Sequence, residues 1–168
     1  MCIARAGNDN LTMASQLTDQ ATAQEWRDLG FYYERDDEMK AWKLSGSRKG
    51  LSRFSNALRT YVADPRNAMN AEHEHYGPYM YLEVMTWPEA GFDKHAIRGP
   101  LEDLLRLADL IDTALNGALP RSSIVIREEF VESSPYSLVL ELQPDGFDPA
   151  QADPQLRNGT EFTGNSPR

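Results

Sequence analysis

The hydrophobic positions of this 168-residue chain repeat. An offset of 53 residues sets Gly46 on Gly99, and it also places Leu44 on Ile97, Leu51 on Leu104, Arg53 on Arg106, Phe54 on Leu107 and Leu58 on Ile111. Each copy reads as a short strand, a glycine and an amphipathic helix. A strand-rich stretch follows each helix and ends in an alternating run, residues 79–85 in the first copy and 136–142 in the second. Self-similarity of this kind defines the structural unit, and two copies predict one pseudo-symmetric domain rather than an extended array.

The first repeat helix is predicted over residues 47–62. Leu51, Phe54, Leu58 and Tyr61 recur at spacings of three, four and three and so share a face, while Arg48, Lys49, Arg53 and Arg59 project elsewhere. Asp64-Pro65 stops this helix. The second helix opens at Pro100, with Glu102 and Asp103 at the positive end of its dipole, and carries Leu101, Leu104, Leu105, Leu107, Ala108, Leu110, Ile111 and Leu115 on a broad apolar face. Asn116-Gly117 predicts a left-handed cap at its end.

Three hairpins complete the pattern. Phe31-Tyr32-Tyr33 and residues 39–44 flank a charged turn, residues 123–130 and 136–142 flank a polar one, and residues 71–87 are broken at Gly77-Pro78. Residues 18–26 have capping residues ahead of one or two helical turns, which Gly30 ends. The chain therefore divides into a loosely ordered segment at 1–18, a single duplicated domain at 19–143 and a polar tail at 144–168. Met13 offers a second candidate start. The predicted fold class is α+β, an antiparallel sheet covered mainly on one face by two amphipathic helices.

Composition narrows the class further. With 40% hydrophobic residues, a chain of this length buries about two-thirds of its unfolded surface and needs no staple. The single cysteine, Cys2, makes no internal bridge; no apolar leader opens the chain, and no run approaches the ~18 apolar residues of a membrane span. The expected compartment is the cytoplasm, away from membranes. A formal charge of −9 speaks against nucleic acid as a ligand and suits a basic protein partner, although acidity also serves solubility alone.

Three constellations carry candidate chemistry. In Glu72-His73-Glu74-His75, strand alternation puts the two histidines on one face and the two glutamates on the other. Two imidazoles begin a zinc site, but the remaining histidine, His95, lies at no recognisable spacing and the helical His-Glu-x-x-His pattern is absent. The pair is therefore read as a polar strand edge, with no metal and no cofactor assigned; a small metal-dependent enzyme using His73 and His75 is the alternative. In the next strand Tyr79, Tyr81, Glu83, Met85 and Trp87 alternate with Met80, Leu82 and Val84. If the aliphatic side meets the helices, the aromatic side faces a partner; otherwise the strand is covered on both faces. The turn Asp64-Pro65-Arg66-Asn67, with Glu72, offers either an acid-base group or a simple helix stop. No phosphate loop, nucleophile elbow or Cys-His pair is present, so no catalytic residue is assigned and the reading favours a non-enzyme.

The strand ending at Leu44-Ser45-Gly46, the helix with Gly50-Leu51 and Leu58, Glu72-His73-Glu74-His75 and Leu82-Glu83-Val84 together resemble the small α+β immunity proteins that accompany bacterial polymorphic toxins. That resemblance implies a non-catalytic protein that neutralises a toxin by binding it directly. From the residues themselves, Tyr79, Tyr81 and Trp87 are the candidate binding aromatics, with Tyr81 and Trp87 as the anchors, and Glu72, Glu74 and Glu83 are the charges that would steer a basic partner. A structural protein that forms homodimers through its exposed sheet face is a further alternative.

Overall fold

The computed structural model describes the backbone of residues 6–156 and the side chains from residue 15 onward. Cys2 and residues 157–168 of the expected tail lie outside the described residues.

Helix α1, Ala6–Leu29, is longer than the one or two turns its capping pattern predicts, and the segment expected to be loosely ordered is helical from Ala6. No glycine or proline interrupts residues 8–29, so the backbone hydrogen-bonds within itself without a marked apolar stripe to signal it. Gly30, at φ +94°, ends the helix by donating its N–H to the Trp26 carbonyl at 3.0 Å. Strands β1, Tyr32–Asp36, and β2, Ala41–Gly46, form the first hairpin, and α2, Arg48–Ala63, follows with Ser47 capping the Gly50 N–H. Next come β3, His73–Tyr76; β4, Leu82–Thr86; β5, Gly91–Phe92; and β6, Ile97–Gly99. Helix α3, Leu101–Gly117, then leads to β7, Ser123–Ile126, and β8, Ser137–Leu142. The left-handed cap expected at Gly117 does not form. Gly117 is the last helical residue, and Ala118, at φ −91°, caps the helix instead.

The α+β class holds, but the single antiparallel sheet does not. Two four-stranded mixed sheets are present, ordered β1-β2-β8-β7 and β3-β4-β6-β5. Each hairpin is antiparallel, as its alternation predicts, while the central pairs β2/β8 and β4/β6 are parallel. The reason lies in the crossovers: α2 carries the chain from the first sheet to the second, and α3 carries it back. Helices α2 and α3 pack against each other, and both sheets turn their apolar faces into the same core. Leu51, Phe54 and Leu58 from α2, Leu104 and Ile111 from α3, and Leu44, Leu82, Val84, Ile97, Leu138 and Leu140 from the strands are all buried.

The pairing registers of the two halves correspond. Tyr33 opposes Leu44 as Phe92 opposes Ile97; Leu44 lies beside Leu140 as Ile97 lies beside Val84; and Glu74 opposes Val84 as Ile124 opposes Leu140. Gly46 and Gly99 end equivalent strands before their helices.

The segment after residue 143, expected to be an extended or disordered tail, packs on the body through residue 156. A 3-10 turn at Pro149–Ala152, capped by Asp148, buries Pro149 and Ala150, and Arg27 holds Asp148 at 3.0 Å. Small apolar residues do this packing, so a search for large ones passes over it.

Candidate functional site

The candidate site surrounds the β3–β4 hairpin, which lies at one edge of its sheet. Leu82 and Val84 point into the core and are fully buried, as the aliphatic reading of this strand requires. Glu83 and Met85 lie on the opposite, outward side and are half-buried. Tyr81 is 67% exposed and Trp87 40%, so the aromatic run is not covered on both faces. Met80 departs from the alternation: at φ +59° it sits in the hairpin turn, 58% exposed, outside the aliphatic row.

The expected binding aromatics separate. Tyr79 turns inward, where its ring meets Trp26 at 5.9 Å and its hydroxyl donates to Asp153 Oδ2 at 2.5 Å. Asp153 is fully buried and also accepts the Trp26 indole N–H at 2.9 Å, so one carboxylate pins α1, the β3–β4 turn and the C-terminal segment together. Burial, reinforced by this carboxylate, pushes the Tyr79 phenol far above its ordinary range and keeps it a donor. Tyr81 remains on the surface, 6.0 Å from the Tyr79 ring.

The expected steering charges separate as well. Cross-strand pairing places Glu74 opposite Val84, on the core side of the ladder, although at the sheet edge its carboxylate stays exposed and accepts the Tyr76 hydroxyl at 3.2 Å. Glu72 precedes β3 with its side chain exposed, and its carbonyl accepts the Tyr61 hydroxyl at 2.7 Å. Glu83 shares the outward face with His73 and His75 instead: His75 lies directly across from it and His73 across from Met85. Thus the expected two-face split of Glu72-His73-Glu74-His75 is realised, with Glu83 on the histidine side.

Tyr81 also lines a cleft of about 470 Å³ together with Trp26, Tyr32, Tyr33, Trp42 and Tyr79. Glu34 and Arg35 stand at its polar side, and Arg35 lies over the Trp42 ring at 5.9 Å. Burial raises the Tyr32 phenol to about 12, so this wall stays neutral at physiological pH. Tyr33 sets the floor: its hydroxyl donates to the Tyr76 carbonyl at 2.5 Å and accepts the Tyr81 N–H at 3.1 Å.

The turn at residues 64–67 engages its own groups. Asp64 accepts from the Arg66 backbone N–H and guanidinium, and Asn67 donates to the Tyr61 carbonyl. The bond from Arg66 lowers the Asp64 carboxyl below its usual range. His95 lies in the turn between β5 and β6 and donates its backbone N–H to Asp93. Reading the sequence alone misses Trp26, Asp153 and the pairing of Glu83 with His75. The first two carry no motif, while the third depends on the hairpin register. No helix among the described residues is long and apolar enough to cross a membrane. Comparison with protein families, curated proteins and solved structures gave no match.

Proposed function

We propose that this chain is a non-catalytic binding domain that presents the β3–β4 hairpin to a basic protein. One observation carries the reading: Met80 and Tyr81, adjacent at the β3–β4 turn, are 58% and 67% exposed, and Tyr81 also lines the aromatic cleft. Exposed apolar side chains scattered singly are ordinary, whereas a cluster rimmed by charge marks a contact surface. Glu83, on the outward face next to Tyr81, and Glu74, exposed at the sheet edge, place negative charge on either side of the hairpin, and the chain's charge of −9 extends the same field over the molecule. Tyr81 is the anchor, since the aromatic cleft beside it offers an apolar recess next to an exposed ring. Tyr79, committed to Asp153, positions that recess and does not itself reach a partner.

Neutralisation of a bacterial toxin in the cytoplasm is the biological form of this reading, drawn from the resemblance to immunity proteins. The corresponding registers support an internally duplicated ββαββ unit as its scaffold. Partner capture from the native host followed by binding kinetics, all in the presence of a chelator, tests the proposal. Tyr81→Ala is expected to raise the dissociation rate roughly thirtyfold, as for loss of a hot spot worth about 2 kcal/mol. Glu74→Lys is expected to slow association, most strongly at low ionic strength where screening is weakest. Wild-type kinetics in both folded variants would overturn the assignment of this surface.

A further inference from the structure

We propose that His73, His75 and Glu83 form a binding site for a borderline-soft divalent metal ion of the zinc class. One ligand atom from each residue lies within 4.8 Å of those from the other two. The ladder holds the three in place, because His75 and Glu83 face each other across β3 and β4 and His73 sits two residues along the same face. The histidine ring centroids are 5.1 Å apart and the rings nearly perpendicular.

A second, independent observation concerns the protons. Nδ1 of His73 lies 3.0 Å from the Ala71 carbonyl oxygen, and Nδ1 of His75 lies 3.0 Å from that of Met80. A carbonyl oxygen only accepts, so both neutral rings carry hydrogen on Nδ1 and a free lone pair on Nε2. An imidazole oriented by donating its other N–H to the backbone is the usual state of a metal ligand.

The matching hairpin provides an internal control. Its register puts Ser123, Val125 and Val139 where β3 and β4 carry His73, His75 and Glu83. The same scaffold thus forms with no ligating side chain at any of the three positions, and the architecture does not require them. Ala71 and its counterpart Arg121 both have positive φ, so that feature belongs to the scaffold; Met80, at φ +59°, carries the carbonyl that orients His75 and has no such counterpart.

Two imidazoles and a carboxylate match zinc, whereas magnesium and calcium take oxygen ligands. Tetrahedral bonds of about 2.0–2.1 Å space ligand atoms by roughly 3.4 Å, so the side chains must close by little more than an ångström. His73 and His75 are exposed, so no packed neighbour opposes that adjustment. Three protein ligands leave a fourth position open to solvent.

The test uses the full chain, free of any histidine tag, titrated with Zn²⁺ by calorimetry. One ion is expected per chain, with His73→Ala, His75→Ala and Glu83→Gln each weakening binding by at least about tenfold. His95→Ala and Cys2→Ser are expected to leave it unchanged. Nitrogen-15 NMR is expected to show Nδ1–H tautomers in the metal-free protein and a shift of both Nε2 resonances on adding zinc. Absence of stoichiometric binding, or binding that survives Glu83→Gln and His75→Ala, or that is lost with Cys2→Ser, would overturn the proposal. His73, His75 and His95 are exposed, and glutamine preserves the shape of Glu83, so the readout from these variants does not depend on refolding.

Discussion

At the residue scale, single carboxylates organise this protein where the hydrophobic pattern is silent. Asp93 is one: its Oδ1 accepts the backbone N–H groups of His95 and Ala96, each at 2.8 Å, and its Oδ2 accepts Arg98 Nε at 2.8 Å. Burial pushes this carboxyl upward, but the guanidinium and the two backbone donors outweigh it and the net displacement is downward. A group with a depressed folded pKa contributes stability that is present above the unfolded carboxylate value of about 4 and lost as pH falls through the lowered folded value. Asp93→Asn is therefore expected to cost about 1–3 kcal/mol at neutral pH and to flatten the acid limb of stability. Urea unfolding over a pH series checks both. Neither Asp93 nor Asp153 is legible in the sequence as a structural hub. An aspartate looks the same whether it caps a turn, binds a guanidinium or faces water, and only the donors that the fold brings up, from the adjoining turn at Asp93 and from distant segments at Asp153, distinguish these cases.

At the element scale, helix α2 shows packing overriding propensity. Ser47 Oγ accepts the Gly50 N–H at 3.1 Å, and a Cβ placed on Gly50 would stand 2.1 Å from the Gly30 carbonyl oxygen and 3.1 Å from its carbon. Both obstacles are backbone, and Gly30 is itself fixed at positive φ by its role in ending α1. Helix propensity alone favours Gly50→Ala by about 1 kcal/mol, whereas overpacking against immobile atoms costs about 1–3 kcal/mol and frequently more for backbone. The expected outcome is net destabilisation. Gly117→Ala is the contrasting case, since its Cβ would meet nothing within 4 Å at the end of α3 and is expected to stabilise by up to about 1 kcal/mol. Thermal midpoints of the two variants should therefore move in opposite directions. Elements such as α2 and α3 are legible because a period of 3.6 is a local property. The length of α1 is not, because Ala6–Leu29 continues without an apolar stripe strong enough to register.

At the scale of the whole molecule, neither half of the chain contains a complete sheet. Each sheet takes one hairpin from the first half and one from the second, joined along the parallel pairs β2/β8 and β4/β6. The C-terminal segment closes this arrangement by supplying Asp153 to Trp26 and Tyr79. Truncation after Gln143 removes that acceptor from a fully buried indole N–H, as well as the cover given by Ala150. An orphaned buried donor costs about 1–3 kcal/mol, and lost apolar burial adds to it. The truncated protein is expected to unfold at lower urea concentration, with Trp26 more exposed to a fluorescence quencher. An unchanged midpoint would mean that this segment only lies against the surface.

The sequence by itself determined the local grammar: two amphipathic helices after paired glycines, three antiparallel hairpins, and a strand in which Leu82 and Val84 share one face and Tyr81 lies on the other; which face is outside came from the fold. Those properties follow from side-chain periodicity and turn chemistry within a few residues. Tertiary structure decided how the hairpins are shared between two sheets, because alternation says which face of a strand is buried and nothing about which strand lies beside it. It also decided the company of each charged group. Glu74 is next to His75 in the chain yet faces the other way, whereas Glu83 lies eight positions on and comes directly across from His75 only because the intervening turn sets that register.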